Sequence, residues 1–446
     1  MELLSELGAI QAEYGFLPTG ELKALSSKTG MHIGEILSAA SFYSFFTLEP
    51  DAEDHIEKLY PCRKAGMLLI PKLPYEWTAL ENARKAPETI IEAVGEAGLL
   101  GRSGGGFPVA RKWSVTKNAS GREKYIVCNA DEGELFTGKD RILIEKNPWA
   151  VVEGMAVCAE ATGAKKGFIY LRGEYEDLAE TLKKAVSEAP LDNRFDIEIY
   201  MGHGAYVCGD ETALLNSLEG KRGETRLKPP YPGVSGYMGC PTVVNNVESF
   251  ACVSAILNMG PDVFRSTGMP DYPGTKLYTV CGAVRSPGVY EYPSGISIGE
   301  LLEAAGGAET PIQAVLVGGG SCKLAGPDCL DVVMTPGNCM AHGLSFGTGS
   351  VCFIGAEENL VGFVRGLTEF FMRESCGSCT PCRVGLRRLA ELMKKFEAGK
   401  AWPEDLDRLG ALACHIRDNS RCPLGQAAVT PVLSLIDRFP EVMQCL

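Results

Sequence analysis

The sequence predicts a mixed α/β protein built from several domains. A chain of 446 residues is too long for one hydrophobic core, so about two to four domains are expected. Within residues 86–270 three apolar segments, "KYIVCNA", "KGFIYLR" and "FDIEIYM", alternate with helical stretches, as in an α/β sheet. Residues 271–355 are rich in strand segments such as "KLYTVCGAV", "GVYEYP" and "AVLVGGG", and residues 356–446 are helical in pattern.

The first 50 residues predict a small unit of about three helices, which we call the head (residues 1–50). Leucines recur at helical spacing from Leu3 onward, and "LPTGELKALSSKTG" supplies Thr19 as an N-cap and Gly30 as a helix stop. The segment "HIGEILSAASFYSFF" predicts the third helix. Residues 51–85 contain several prolines and predict a linker with one strand, "GMLLI".

Composition and charge restrict the class of protein. The formal net charge of −13 disfavours nucleic acid or an anionic membrane surface as a partner. No apolar run reaches the roughly 18–20 residues of a spanning helix, and the N-terminus lacks the basic region of a signal peptide. Seventeen cysteines without an export signal indicate a reducing compartment, where cysteines serve as ligands or as small buried residues. We therefore expect a cytoplasmic protein without a membrane span.

The segment "SCGSCTPCRVG" predicts a metal centre. Cys376, Cys379 and Cys382 follow a C-x2-C-x2-C spacing, which lets one loop supply three thiolates to an iron–sulfur cubane. The fourth thiolate would come from Cys422, in the turn "RCPLGQ", rather than from Cys414, in the helical segment "LGALACHIRD". A zinc site also accepts four thiolates and is the alternative. Three cysteines in one tight loop favour the 4Fe–4S cluster.

The segment "GLLGRSGGGFPVARKW" predicts a phosphate site. Its crowded glycines allow the backbone to approach a bound group closely, and basic side chains follow them. The pattern does not match a dinucleotide fingerprint, and an ordinary surface loop is the alternative. The residues of this loop that carry the argument are Gly101, Arg102, Gly104, Gly105, Gly106, Arg111 and Lys112.

Polar residues follow the predicted strand "KYIVCNA". Asn129, Asp131, Glu132 and Glu134 come at or just after its end, where open α/β sheets bind ligands. A solvated acidic turn explains the same residues equally well. These polar residues therefore mark a candidate ligand site, but the segment alone does not decide between a ligand site and a solvated turn.

Two further segments carry polar residues at helix starts. Asp210 and Glu211 open a predicted helix that ends at Gly220, so they serve either as caps or as acceptors for a ribose hydroxyl. Asn245 and Asn246 place two amides in a row, which suits hydrogen bonding to the edge of a heteroaromatic ring.

Taken together, these segments resemble a known family. The motifs "GRSGGGFP", "NADEGE", "GAYVCGDETALLNSLEGKRG", "RLKPPYPGVSG", "PTVVNNVE" and "ESCGSCTPCRVG" occur in the order found in the NADH-binding, FMN-containing flavoprotein subunit of respiratory complex I. The same module occurs in NAD-linked hydrogenases and formate dehydrogenases. The resemblance covers about residues 86–435 and implies an α/β flavin-binding domain, a small β-grasp-like domain and a C-terminal helical bundle with one 4Fe–4S cluster.

Carried over position by position, the resemblance implies how FMN and the cluster are bound. The glycine loop would surround the FMN phosphate and ring, the strand end would bind the ribityl chain and ring edge, and the two asparagines would lie on the phosphate side. The implied FMN residues are Gly101, Arg102, Gly104, Gly105, Lys112, Asn129, Asp131, Glu132, Asn245 and Asn246. The implied cluster ligands are Cys376, Cys379, Cys382 and Cys422.

The resemblance also implies how NADH is bound. Phe107 would stack on the adenine, Glu134 would meet the nicotinamide carboxamide, and Glu211 would bind the ribose. Tyr206 and Gly209 would line the cofactor face. The implied catalytic residues are Glu134, Tyr206 and Glu211, and the implied nucleotide-binding residues also include Phe107, Gly209 and Asp210.

The head resembles the helical part of the thioredoxin-like subunit of complex I. In that subunit a 2Fe–2S thioredoxin domain follows the helices, whereas here Cys62 is the one cysteine of the linker, and one cysteine cannot hold that cluster. We expect the head to bury its apolar side against a partner subunit rather than against the flavin domain.

The leading hypothesis is a diaphorase subunit of a larger, even electron-bifurcating, redox complex. It would exchange hydride between NAD(H) and FMN and pass single electrons through the cluster to other iron–sulfur or flavin subunits. The alternative is an electron-wire or scaffold subunit that does not turn over NADH. The feature in favour of the alternative is Leu135–Gly138, where the family has Pro-Gly-Thr-Phe.

Overall fold

The structure is a computed structural model that describes residues 2–31, 36, 39, 40, 43, 46, 61–70, 75–121 and 123–443. Most of the predicted third helix of the head lies outside the described residues. Within it, Ile36, Ala39 and Ala40 are helical.

The head packs on the α/β domain of its own chain. Its first helices are α1 (Glu2–Tyr14) and α2 (Thr19–Thr29). Leu4 and Leu22 are fully buried in a core that also contains Tyr200 of the α/β sheet. The expectation that a partner subunit covers this apolar side is therefore wrong, since the chain's own sheet covers it.

Specific contacts accompany this packing. Tyr43 Oη donates a hydrogen bond to the Lys221 carbonyl at 3.1 Å, and the Phe46 ring stacks on His203 with centroids 4.8 Å apart. Helix α2 ends at Gly30, whose φ of 71° is left-handed, as predicted. The N-cap prediction was wrong by one residue, because Pro18 holds the N-cap position and Thr19 is already helical.

The predicted linker contains regular structure at both ends of its described part. Strand β1 is Cys62–Lys64, whereas "GMLLI" is not a strand, because the Glu291 carboxylate accepts the backbone N–H groups of Leu68 and Leu69 at 2.7 and 2.8 Å. Helix α3 (Thr78–Lys85) packs on the α/β domain and buries Ala79, Leu80 and Ala83. The linker prediction is therefore wrong for residues 78–85.

A four-stranded parallel sheet in the order β4-β3-β2-β5 confirms the predicted α/β class. All three predicted strands form. Both faces of the sheet are covered, which explains why the strands are almost continuously apolar. The strands are β2 (Tyr125–Ala130), β3 (Lys166–Leu171), β4 (Asp196–Met201) and β5 (Thr242–Asn246).

Alternate residues of these strands enter two different cores. Ile126 and Cys128 of β2 pack with helices on one face, whereas Val127 packs on the face that carries the head and the C-terminal helices. The helices of this domain after α3 are α4 (Ile90–Glu96), α5 (Val109–Asn118), α6 (Lys139–Lys146), α7 (Pro148–Thr162), α8 (Ala179–Glu188), α9 (Glu211–Leu218), α10 (Val247–Met259) and α11 (Pro261–Ser266).

A mixed six-stranded sheet follows, in the order β1-β9-β8-β12-β10-β11. The strands predicted in "KLYTVCGAV", "GVYEYP" and "AVLVGGG" form β8, β9 and β10. A two-stranded ribbon, β6 (Gly268–Met269) and β7 (Tyr272–Pro273), leads into it. The further strands of the six-stranded sheet, with the helices between them, are β8 (Thr275–Gly282), β9 (Gly288–Pro293), α12 (Ile298–Ala304), β10 (Ile312–Val317), β11 (Lys323–Ala325), α13 (Pro336–Ala341) and β12 (Val351–Gly355).

The described C-terminal part is helical, as predicted. Helices α14 and α15 pack together, α15 also packs on α16, and short α17 follows a tight turn. The helices are α14 (Leu360–Arg373), α15 (Thr380–Glu397), α16 (Pro403–Asn419), α17 (Pro423–Ala427) and α18 (Thr430–Arg438).

Candidate functional site

A cavity of about 920 Å³ lies where the α/β domain, the six-stranded sheet and the turn before α17 meet. Strands β2 and β5 end at its wall, which is the edge of a parallel sheet where ligands bind. Of the predicted nucleotide and flavin residues, fifteen line this one cavity. They are Gly101, Gly104, Gly105, Phe107, Lys112, Asn129, Asp131, Glu132, Glu134, Tyr206, Gly209, Asp210, Glu211, Asn245 and Asn246.

The glycine loop leaves backbone open to the cavity. No atom lies within 4 Å of a Cβ added at Gly105 or Gly106. Gly104 has a φ of 105°, and a Cβ there would stand 3.0 Å from the Gly347 carbonyl, so only glycine fits. This arrangement fits a bound group that contacts backbone N–H groups, such as a phosphate.

Arg102 does not line the cavity. Its guanidinium is buried, lies 4.1 Å from the centroid of the Tyr272 ring, and donates a hydrogen bond to the Pro273 carbonyl. Its backbone N–H is held by Ser249 Oγ at 3.0 Å. The implied contact of the Arg102 side chain with FMN is therefore wrong, because this side chain ties the glycine loop to the ribbon before β8.

Glu132 serves as a cap for helix α6. Its carboxylate accepts the backbone N–H groups of Asp140 and Arg141 at 2.9 and 3.1 Å, and the Tyr175 hydroxyl at 3.1 Å. Burial, and then the charge of Asp140, raise the pKa of Glu132 to about 7. Asn129 is also held within the protein, since its Nδ2 donates to the Gly209 carbonyl at 2.9 Å.

Glu134 is held by three donors. Tyr206 Oη donates to Oε2 at 2.6 Å, and Ser321 donates through its N–H to Oε1 and through its hydroxyl to Oε2, both at 2.9 Å. Burial raises the pKa of Glu134. The sequence reasoning missed Ser321, although it follows the glycine run at the end of β10.

Glu211 lies between two lysines. Lys112 Nζ is 3.1 Å from Oε2, and Lys228 Nζ is 3.5 Å from Oε1. Asp210 is the N-cap of α9, because its Oδ1 accepts the N–H groups of Thr212 and Ala213 at 2.8 and 3.2 Å. The sequence reasoning missed Lys228 as a site residue, although its segment "RLKPPYPGVSG" is one of the motifs that carry the family resemblance.

The asparagine pair is anchored at the back of the cavity. Asn245 Oδ1 accepts a hydrogen bond from Trp113 Nε1 at 2.9 Å. Asn246 Oδ1 accepts from Lys139 Nζ at 3.0 Å, and its Nδ2 donates to Asp140 Oδ2 at 2.6 Å. These partners fix the orientation of both amides.

A buried ionic network that the sequence reasoning missed lies behind the asparagines. Lys139 contacts Asp140 at 2.5 Å and Glu248 at 3.2 Å, and Glu248 also contacts Lys276 at 2.5 Å. Burial lowers the pKa of Lys276 to about 8, whereas the neighbouring carboxylates raise that of Lys139 against the effect of its burial. The network joins the cavity to strand β8.

The predicted cluster cysteines converge at two helix starts. Cys379 and Cys422 are the N-cap residues of α15 and α17, and Cys382 lies in the first turn of α15. Burial raises the pKa of the Cys382 thiol to about 12, and the neighbouring thiols of Cys379, Cys422 and Cys376 add to this. Thiols at helix N-termini are suited to act as thiolate ligands.

The fourth predicted ligand also reaches the cavity. Cys422 lies on the cavity wall, whereas Cys414 lies on α16. Among the described residues no group of three His, Cys, Asp or Glu side chains could hold a metal ion. In a 4Fe–4S cluster each thiolate binds a different iron, so the four thiols surround the cubane and do not converge on one ion.

Comparisons with known proteins agree with this site. Residues 94–255 match the "Nuo51 FMN-binding domain", residues 362–445 the "NADH-ubiquinone oxidoreductase-F iron-sulfur binding region", and residues 277–323 the "SLBB domain". Residues 1–67 match the thioredoxin-like 2Fe–2S ferredoxin family. The NADH-quinone oxidoreductase-F 2 protein of Rhizobium meliloti is 42% identical over 79% of this chain and 87% of its own. The chain belongs to the NADH-quinone oxidoreductase-F family.

Other members of this family are also similar. The NAD-reducing hydrogenase HoxS subunit alpha of Cupriavidus necator is 40% identical over 80% of this chain and 60% of its own length. A crystal structure of an NAD⁺-reducing NiFe hydrogenase has a TM-score of 0.88 and 32% identity, over 98% of this chain and 91% of that chain. The predicted resemblance to the complex I flavoprotein subunit is confirmed.

Membership of the oxidoreductase-F family establishes the cofactors and the class of reaction. The chain is an oxidoreductase of the NADH dehydrogenase (diaphorase) type that uses FMN, a 4Fe–4S cluster and NAD(H). No helix in the described parts of the chain is long and apolar enough to cross a membrane.

Proposed function

We propose that this chain is the diaphorase subunit of a larger redox complex, in which it passes electrons between NAD(H) and partner subunits through FMN and the 4Fe–4S cluster. The observation that carries the proposal is the single cavity, whose wall holds the predicted nucleotide residues and also Cys422. FMN, when bound, supplies hydride exchange with the nicotinamide and the release of single electrons. The protein supplies position, charge and exclusion of water.

The glycine loop is the proposed phosphate site. Gly105 and Gly106 leave the backbone open, and Lys112 adds a positive charge on the same cavity wall. Asn245 and Asn246 lie at the end of β5, where hydrogen bonds fix the orientation of their side-chain amides. They complete the proposed FMN site. Phe107, which is 46% exposed at the cavity, offers a ring face for the adenine of NADH.

Glu134 is the proposed partner of the nicotinamide carboxamide. A carboxylate oxygen accepts a hydrogen bond from an amide NH₂, and the three donors on Glu134 hold the carboxylate in one orientation. Tyr206 is fixed in turn, since its ring packs edge-on against Phe370 and Phe371. The carboxylate is therefore positioned before the nucleotide binds.

The changed segment Leu135–Gly138 places no apolar side chain in the cavity lining, and so it gives little support to the wire or scaffold alternative. Leu135 and Phe136 line a separate groove beside α14, where the Phe136 ring stacks on Phe363 with centroids 5.8 Å apart. Within the segment Thr137 lines the cavity, and its Oγ1 lies 2.8 Å from Thr348 Oγ1. The substituted apolar side chains thus point away from the nucleotide site.

The domain division belongs to the same proposal. We assign the head to residues 1–50, the flavin domain to residues 78–270, a β-grasp-like domain to residues 271–355 and the cluster bundle to residues 356–446. Helix α3 joins the flavin domain because it packs on α7 and α10. The related proteins are named as subunits of oxidoreductases and hydrogenases, which supports partners that carry iron–sulfur or flavin centres.

Anaerobic stopped-flow mixing with NADH tests the proposal. NADH should bleach the flavin absorbance within the first turnover, and an electron paramagnetic resonance signal of the reduced cluster should follow. A flavin that stays oxidised in protein with full FMN and cluster content would support the wire or scaffold alternative instead. The Lys146→Ala variant, altered on the exposed side of α6, is a control that should behave as the unmodified protein does.

A further inference from the structure

We propose that Glu374 is a positioning residue for the nicotinamide, an inference that rests on the proposed contact between Glu134 and the carboxamide. Glu374 directly follows helix α14 and precedes the loop of residues 375–382, which we call the cluster loop because it carries the three cysteines. The side chain of Glu374 does not line the cavity. Its effect on the cavity is transmitted by Tyr206.

The contact that carries the inference joins the Glu374 carboxylate to the backbone of Tyr206. Glu374 Oε2 accepts a hydrogen bond from the Tyr206 N–H at 2.8 Å. On the other side, a Cβ added at Gly133 would stand 3.2 Å from Tyr206 Cα, so the loop after β2 lies close against this residue. The Tyr206 backbone is therefore held between that loop and the end of α14.

The side chain of Tyr206 transmits this position to Glu134. Its ring packs edge-on against Phe370 and Phe371 of α14, with centroids 5.7 and 5.4 Å away. Its hydroxyl donates to Glu134 Oε2 at 2.6 Å. A shift of the Tyr206 backbone would therefore move one of the donors that orient the Glu134 carboxylate.

Glu374 is also anchored beside the cluster loop. Its own N–H donates to the Phe370 carbonyl at 2.9 Å and closes the last turn of α14. The next residue, Ser375, places its Oγ 3.1 Å from Cys382 Sγ, and the same Oγ accepts the Gly377 N–H at 3.3 Å. The segment that begins the cluster loop therefore also fixes a donor of the nicotinamide site.

The adenosine end of the cavity is held by different contacts. Asp210 accepts two N–H groups at the start of α9, and Glu211 lies between two lysines. Neither arrangement involves Glu374. Loss of the contact between Glu374 and Tyr206 should therefore weaken binding of the nicotinamide half of the dinucleotide and spare the ADP-ribose half. A general loss of structure would weaken the binding of both halves.

Equilibrium binding of two ligands that do not react tests this inference. One is tetrahydro-NAD, which carries the carboxamide but donates no hydride, and the other is ADP-ribose, which lacks the nicotinamide. Their binding to the FMN- and cluster-loaded chain is measured by isothermal titration calorimetry, so the result does not depend on turnover. Electron paramagnetic resonance checks the cluster content of every variant.

Glu374→Asp and Glu374→Gln separate the hydrogen bond from the charge. Aspartate keeps the charge but is one methylene shorter and falls short of the Tyr206 N–H, so the Kd of tetrahydro-NAD should rise about fivefold. Glutamine keeps an acceptor oxygen at the same reach, so its Kd should rise less than about twofold. The Kd of ADP-ribose should stay unchanged in both variants. Glu357→Ala, on the exposed turn before α14, is the control and should change neither Kd.

A double-mutant cycle with Tyr206→Phe tests the path from Glu374 to Glu134. Phenylalanine removes the hydroxyl that donates to Glu134, so in this background Glu374→Asp should change the Kd of tetrahydro-NAD less than about twofold. Equal losses in the two backgrounds would overturn the inference. Equal losses for tetrahydro-NAD and ADP-ribose would also overturn it, as would a larger loss with Glu374→Gln than with Glu374→Asp.

Glu134→Ala distinguishes a failure of this inference from a failure of the proposed function. It should weaken the binding of tetrahydro-NAD and not that of ADP-ribose, because it removes the carboxylate that accepts the carboxamide NH₂. If Glu134→Ala has this effect and Glu374→Asp has none, only the role of Glu374 is wrong. If Glu134→Ala leaves tetrahydro-NAD binding unchanged, the proposed carboxamide contact is wrong and this inference is overturned with it.

Discussion

Glu211 shows how individual charges in the cavity depend on distant segments. Its carboxylate lies between Lys112 of α5 and Lys228 of the loop after α9. A carboxylate accepts hydrogen bonds from ribose hydroxyls and repels a 2′-phosphate, so we expect NAD to be preferred over NADP. The two ammonium groups weaken that repulsion, and they would remain if the carboxylate were removed.

Glu211→Ala should therefore narrow the preference for NADH over NADPH. The loss of one charge-assisted hydrogen bond costs about 1.5–3 kcal/mol, and the freed lysines would favour the 2′-phosphate. We expect the ratio of kcat/KM for the two nucleotides to fall by at least about tenfold. Glu198→Ala, on exposed β4, is the control. Equal rates with both nucleotides in the unmodified protein would contradict this prediction.

Replacing Cys422 or Cys414 by serine should distinguish the two candidates for the fourth cluster ligand. Cys422 stands with the three loop cysteines at a helix start, whereas Cys414 is on α16 beside Arg417. Cys422→Ser should lose or alter the cluster signal in electron paramagnetic resonance, and Cys414→Ser should keep it. The reverse pattern would show that α16 supplies the ligand.

At the scale of elements, the cap of α6 links the nucleotide site to stability. Glu132 closes the first turn of α6 and also lines the cavity. Its pKa is about 7 in the folded protein, above the ordinary 4.5. Folding therefore favours its protonated form, and this contribution to stability is complete below pH 4.5 and is lost as the pH rises through 7.

Glu132→Gln should remove that pH dependence, because glutamine keeps an acceptor for the backbone N–H groups and does not ionise. From pH 5 to pH 8 the difference in unfolding free energy between variant and unmodified protein should shift in favour of the variant, by up to about 3 kcal/mol. Urea unfolding at several pH values measures it. Parallel pH curves for the two proteins would mean that Glu132 is ionised throughout.

For the whole molecule, the head is part of the folded core. Its leucines enter the same core as Tyr200 and the C-terminal helices. The burial of the sheet face beneath the head therefore depends on residues at the start of the chain.

Leu4→Ala should destabilise the isolated chain by about 2–5 kcal/mol, the usual cost of a buried cavity, because Leu4 is fully buried. Glu13→Ala, on the exposed side of α1, is the matched control. Thermal unfolding with bound FMN measures the effect. Unchanged stability with loss of partner subunits on purification would restore the docking hypothesis.

The class of fold and the family could be predicted from local patterns. Strands β2, β3 and β4 are short apolar runs between helices, and such runs form wherever both faces of a sheet are covered. The motifs that indicated the oxidoreductase-F family are short and continuous, so each could be recognised without knowing its neighbours. The glycine run lines the cavity. Gly104 there has a φ of 105°, a backbone conformation that residues with a side chain rarely adopt.

Other features depend on which distant segments meet, and only the folded chain shows them. Arg102 belongs to the glycine loop, yet its side chain contacts Tyr272 and Pro273 and does not line the cavity. Lys228 reaches Glu211 from the proline-rich motif "RLKPPYPGVSG", which indicates the family but not this contact between two distant segments. The head is covered by the sheet of its own chain, because an amphipathic helix specifies an apolar face and not the surface that buries it.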